Sequence, residues 1–85
     1  MAWNAFQYSL APGDSASYWY SWGDDHGPQF AEAREFPQST RGNPMTVLFE
    51  QTVRNSDNSV TYWVGIRNDG SQTATFELVG GGESP

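Results

Sequence analysis

The chain has no cysteine and no lysine in its 85 residues. Without thiols there is no disulfide staple and no cysteine-based zinc site, and thiol usage leaves the redox compartment open. Without lysine, positive charge rests on Arg34, Arg41, Arg54 and Arg67 against ten Asp and Glu, for a net charge of −6. The basic footprint that neutralises phosphate is therefore missing, and nucleic acid is not an expected partner. The same acidity favours solubility and opposes anionic membranes, including insertion of a Trp and Tyr belt. No apolar run reaches the length needed to span a bilayer. Residues Met1 to Asn4 have neither a charged n-region nor an apolar h-region. No Sec signal is expected in this chain, which leaves the cytoplasm or another route of export.

Catalytic and cofactor signatures are missing too. There is no G-x-S-x-G elbow, no G-x-G-x-x-G and no P-loop. A glycosidase built on paired carboxylates needs a cleft that excludes water, which a chain of this size rarely builds. The expectation is a non-enzymatic protein with no cofactor. Gly80-Gly81-Gly82 is expected to belong to a flexible tail, 80–85, behind a single domain, 1–79.

What the chain does have is aromatic mass, 15% of its residues, which compensates for the small core of a short domain. The densest stretch is Ser15 to Phe30, SASYWYSWGDDHGPQF. Its first half predicts a strand, because aromatics suit a pleated surface. Its Gly, Asp and Pro cluster predicts a loop. Period-two alternation predicts further strands. The first covers Asn4 to Leu10, with Phe6, Tyr8 and Leu10 on one face. The second covers Ser15 to Trp22, with Ala16, Tyr18, Tyr20 and Trp22 inward. Gln29 to Phe36 has no cleanly apolar face; a short helix over FAEAREF competes with an edge strand, and the charges favour the edge strand. Met45 to Val53 sets Val47, Phe49 and Val53 on one face, with Leu48 breaking the alternation. Val60 to Arg67 has Val60, Tyr62, Val64 and Ile66 inward, and Thr73 to Val79 has Ala74, Phe76 and Leu78 inward. Loops are expected at 38–44 and at Asn55 to Ser59, and Asn68-Asp69-Gly70-Ser71 predicts a hairpin, making the last three strands a meander.

Six short strands separated by turns, with no amphipathic helix, predict an all-β fold, a small antiparallel β-sandwich of immunoglobulin-like or jelly-roll-like type. The segments VTYWVGIRNDGSQTATFEL and LAPGDSASYWYSW resemble the strand–turn pieces of bacterial immunoglobulin-like modules. That resemblance implies the architecture and nothing about activity.

Candidate functional residues are aromatics on the predicted outward faces. Trp19 sits among serines and Trp63 between Thr61 and Gly65, and Trp3 shares the parity of Ala5 and Gln7. An exposed indole beside small residues offers a flat apolar ring to the C–H face of a sugar, and polar neighbours fix the hydroxyls. Asp24, Asp25 and His26 follow Trp19 in the loop, and Arg67 shares the Trp63 face. These residues point to a carbohydrate-binding module or small lectin whose partner is a glycan. The alternative is a structural or protein-interaction domain whose aromatics form subunit contacts. A homo-oligomer is expected in either case, because weak single sugar sites gain from multivalency and small β domains gain from covered edges. With one histidine, Asp24-Asp25-His26 is read as a hydrogen-bonded turn rather than a metal site. Asn55 to Asn58 lacks the spacing of a calcium loop and is read as a turn as well.

Overall fold

The computed structural model describes residues 2–36 and 42–82. The expected loop at 38–44 lies outside these up to position 41, as do Arg41 and the end of the tail, 83–85. Six strands follow one another: β1 (Ala2–Leu10), β2 (Ser15–Tyr20), β3 (Gln29–Glu35), β4 (Met45–Arg54), β5 (Val60–Asn68) and β6 (Ala74–Gly82). They form two three-stranded sheets, ordered β1-β6-β3 and β2-β5-β4, and every pairing is antiparallel. The fold is an all-β sandwich, as the strand pattern predicts.

The core lies between the sheets. Val64 and Ile66 of β5 and Phe76 and Leu78 of β6 are almost wholly buried, joined by Leu10 of β1 and Ala31 and Ala33 of β3. Tyr8, Ala16, Tyr18, Tyr20, Met45 and Val47 pack around them. β3 is an edge strand, as expected, and its alanines rather than its phenylalanines enter the core. Ala33 pairs with Leu78 and Ala31 with Gly80, so the close sheet packing suits small side chains and Phe30 is left 56% exposed.

Four expectations are corrected. The last three strands are not a meander, because β5 and β6 lie in different sheets. The turn between them is governed by Asn68, whose fully buried side chain donates to the Leu10 and Gln72 carbonyls and accepts from the Gly70 amide. It carries the chain across the core, so that Phe76 joins the cluster containing Val64 from the opposite sheet. Second, β1 and β4 each carry a register shift, between Ala5 and Gln7 and between Val47 and Phe49. A bulge turns over the alternation beyond it. Phe6 is therefore 79% exposed instead of buried with Tyr8. Val47 faces in while Phe49 and Val53 face out. Third, β2 ends at Tyr20, so Trp22 belongs to the following loop. Fourth, β6 continues past Val79: Gly80 and Gly81 pair with both β1 and β3, and Gly82 with Gln29. Glycine suits this stretch because a side chain at Gly82, which has φ +147°, would strike the backbone at Pro28.

Candidate functional site

The β2–β5 register sets Trp19 directly opposite Trp63. Because Ala16, Tyr18 and Tyr20 face the core, Ser15, Ser17 and Trp19 share the outer face of the sheet with Trp63, Gly65 and Arg67. The bulge at Leu48 brings Phe49 and Gln51 of β4 to the same face, Phe49 opposite Gly65 and Gln51 opposite Trp63. A row Trp19–Trp63–Gln51 thus crosses all three strands. Trp19 is 63% exposed, and Trp63 is half-buried. A side chain at Gly65 would collide with the Phe49 ring, so glycine is what lets that ring lie against the β5 backbone.

Arg67 lies two rows along, opposite Ser15 and Thr46. Its Nε donates to Asp69 Oδ1 at 2.6 Å and its Nη2 to Oδ2 at 3.2 Å, and Thr46 Oγ1 donates to the same carboxylate. Arg67 first, then Thr46, holds the Asp69 carboxyl below the usual carboxylate range.

Asp24, Asp25 and His26 do not join the tryptophans. Beyond Tyr20 the chain crosses to the other sheet, which carries these residues over the end of the core on the far side of β5. There Tyr20 stacks on Tyr62 with centroids 5.3 Å apart. Trp22 meets both rings edge-on and also meets the His26 imidazole at 5.0 Å. His26 Nε2 lies 2.9 Å from Asp24 Oδ1. The His26 amide donates to the Tyr62 hydroxyl, which donates in turn to the Gly27 carbonyl. Asp25 accepts from the Gly27 amide at 2.8 Å and from Arg54 Nη2 at 2.7 Å. The amide bond first and the guanidinium second hold its carboxyl below the ordinary range. These three side chains latch a loop. Sequence adjacency suggested a shared site, and the sheet crossing after Tyr20 separates it.

Two grooves flank the outer face. The larger, about 460 Å³, lies between β1 and β2 and is lined by Phe6, Tyr8, Ser17, Tyr18, Trp19, Tyr20, Ser21 and Leu78. Tyr8 and Tyr18 meet there with centroids 4.3 Å apart. Burial, then the neighbouring Tyr8, raises the Tyr18 pKa. The other, about 360 Å³, includes Tyr20, Pro28, Glu50, Thr52 and Tyr62. Burial, then Glu50 and Tyr62, pushes Tyr20 up to about 12.

Sequence reasoning missed Phe49 and Gln51, which sit on the tryptophan face only because of the β4 bulge. Leu48, which breaks the alternation, was the available signal. Among the described residues no group of three or more His, Cys, Asp and Glu is arranged to hold a metal ion, and no helix is long and apolar enough to cross a membrane. Compared with family models, curated proteins and solved structures, the chain matches none.

Proposed function

We propose that this domain is a non-catalytic carbohydrate-binding module that takes a neutral glycan on the outer face of the β2-β5-β4 sheet. The supporting observation is the register pair Trp19–Trp63, one ring 63% exposed and flanked by serines and a glycine. Two adjacent indoles give consecutive sugar rings an apolar platform, and the Gln51 amide at the end of the row supplies a donor and an acceptor for hydroxyls. The small neighbours Ser15 and Ser17 leave room for a ring to approach, while the Phe49 ring covers Gly65. A face this shallow binds without enclosing a bond to be cleaved. Binding is strengthened by self-association, which gathers weak sites. In this reading the loop residues Asp24, Asp25 and His26 latch the end of the core rather than contact the sugar.

The test is a glycan array probed with the purified protein, followed by titration of tryptophan fluorescence with any hit. A saturable hit that shifts the emission, lost in Trp19→Ala while the assembly state stays the same, supports the reading. A blank array overturns it. So does a Trp19→Ala variant that dissociates an oligomer which binds no glycan. That outcome assigns the exposed aromatics to subunit contacts, the function of a structural interaction domain.

A further inference from the structure

Four strands have a free edge: β1 and β3 in one sheet, β2 and β4 in the other. Natural edges are blunted with charges, bulges or proline, because an open row of amides and carbonyls recruits another strand. β3 carries Glu32, Arg34 and Glu35, and β4 carries Glu50, Arg54 and a bulge. β1 has no charged residue but is broken by the bulge at Phe6. β2, SASYWY, has no charge, no proline and no register shift. It is the one regular, unprotected edge among the described residues.

We propose that a second copy of this chain pairs with β2, antiparallel and centred on Ser17, so that the two β2-β5-β4 sheets join into one of six strands. Charge permits a second copy at this edge, and self-complementarity selects it. The chain carries a net charge of −6, so two copies repel wherever their carboxylates meet, and β2 is a strand along which they approach without any. The strand is also self-complementary in this register. Paired residues must face the same side of a sheet, and centring on Ser17 sets Trp19 of each copy opposite Ser15 of the other. On the inner face it sets Tyr18 of each copy opposite Ala16 of the other. From Ser15 to Trp19 large side chains meet small ones, with Ser17 meeting its own copy on the two-fold axis, and at the end of the strand Tyr20 of each copy stands opposite Asp14 of the other. A two-fold interface of this isologous kind closes on itself and leaves no further edge of this type open.

The pairing changes the sugar platform, and this consequence rests on the carbohydrate reading above. Within one copy Arg67 is two rows away from Trp63, but it pairs with Ser15. Since Ser15 of the second copy stands opposite Trp19, Arg67 of the second copy joins the row Gln51–Trp63–Trp19. Trp63 and that Arg67 are then three strand spacings apart, about 14 Å. The span suits an oligosaccharide rather than a single ring, and each dimer presents two such rows on one continuous face.

Because the native chain has no cysteine, Ser17→Cys creates a single thiol on the two-fold axis. Directly opposed residues in an antiparallel pair have Cα atoms about 4.5–5.5 Å apart, within the range a disulfide bridges. The proposal expects wild type to sediment as a dimer and mild oxidation of Ser17→Cys to give a covalent dimer of the same size. Ser9→Cys, at an exposed position of β1, should give none. Ser17→Lys, which sets two ammonium groups side by side, should weaken the dimer at least about 100-fold while retaining the native near-ultraviolet circular dichroism. A wild type that is monomeric at about 100 μM overturns the pairing, as does Ser17→Cys that stays uncrosslinked, or a dimer indifferent to Ser17→Lys. Should Ser17→Lys fail to fold, the crosslink decides alone. A dimeric wild type that binds no glycan retains the pairing and removes the carbohydrate reading. A dimer in which trisaccharide and monosaccharide bind equally, or in which Arg67→Ala changes neither, removes the shared row.

Discussion

The sandwich has two long seams, and they are closed differently. Where β3 faces β4, the seam is polar and bonded. Glu50 reaches across from β4 and accepts the Ala31 amide of β3 at 2.7 Å, and Glu32, Arg34 and Glu35 line the edge. Where β1 faces β2, the seam is aromatic and open. Tyr8 meets Tyr18 over Phe76, and a groove of about 460 Å³ runs between the strands. Neither β1 nor β2 carries a charge. A side chain that supplies the missing acceptor to an edge amide uses that edge up, whereas a row of rings puts no charge on the β2 edge. The charged seam is finished within one molecule, and the aromatic seam is where another can be added.

The largest test removes the floor of the open seam. Phe76 is wholly buried and touches both Tyr8 and Tyr18. Phe76→Ala should cost about 3–5 kcal/mol, read as a fall in the urea midpoint, with loss of the near-ultraviolet tyrosine signal. Should the cost be below about 1 kcal/mol, the rings of the open seam are held by something other than packing on Phe76.

Asn68 joins the end of β1 to the turn after β5, and Asn68→Ala leaves the Leu10 and Gln72 carbonyls without its amide. A loss of about 2–3 kcal/mol is expected. Asn68→Asp should be at least as damaging, because it removes both donors and adds a buried charge. Equal stability of Asn68→Asp and wild type at neutral pH would show that the turn finds other donors.

At the bonded seam, Glu50→Ala should cost about 1–2 kcal/mol, the value of a hydrogen bond to a charged group at a partly exposed site. Its sharper readout is hydrogen exchange, which should accelerate at the Ala31 amide and stay unchanged along β2. Uniform acceleration would mean that the seams are not independent.

The smallest effect is one of pH. Tyr20 has its pKa pushed up to about 12 in the folded state, by burial first and by Glu50 and Tyr62 next. An unfolded tyrosine titrates near 10. The neutral form is the one the fold favours, so this contribution is fully present below about pH 10 and is lost as pH rises towards 12. Urea midpoints should hold level up to about pH 10 and fall above it. In Glu50→Ala the Tyr20 pKa should drop, followed by absorbance near 295 nm, and burial should keep it above the unfolded value. No drop would mean that Glu50 and Tyr20 do not sense each other.

Much of the fold was legible in the residues. The inward sets Val60, Tyr62, Val64, Ile66 and Ala74, Phe76, Leu78 are where alternation puts them, and β3 is the edge strand its charges suggest. The outward pair Trp19 and Trp63 followed from the same rule. The bulges were not legible, because an extra residue leaves local propensity unchanged and is decided by the partner strand. That is why Phe6 was assigned inward and why Phe49 and Gln51 were missed on the tryptophan face. The grouping of Asp24, Asp25 and His26 with Trp19 failed for a related reason, since proximity in sequence carries no knowledge of the sheet on which the next strand will land.

The sequence by itself determined the class of fold and the buried side of β2, β5 and β6, because both follow from a period of two and the transfer of apolar side chains out of water. It also determined that any partner must tolerate an acidic, lysine-free surface. Only the tertiary structure decided which strands share a sheet and that Trp19 stands opposite Trp63. It alone separated the Asp24–His26 loop from that face and left β2 as an uncharged edge. Pairing and register depend on contacts between residues far apart in the chain, such as Trp19 with Trp63 or Glu50 with Ala31, and no local pattern encodes which of the available edges will meet.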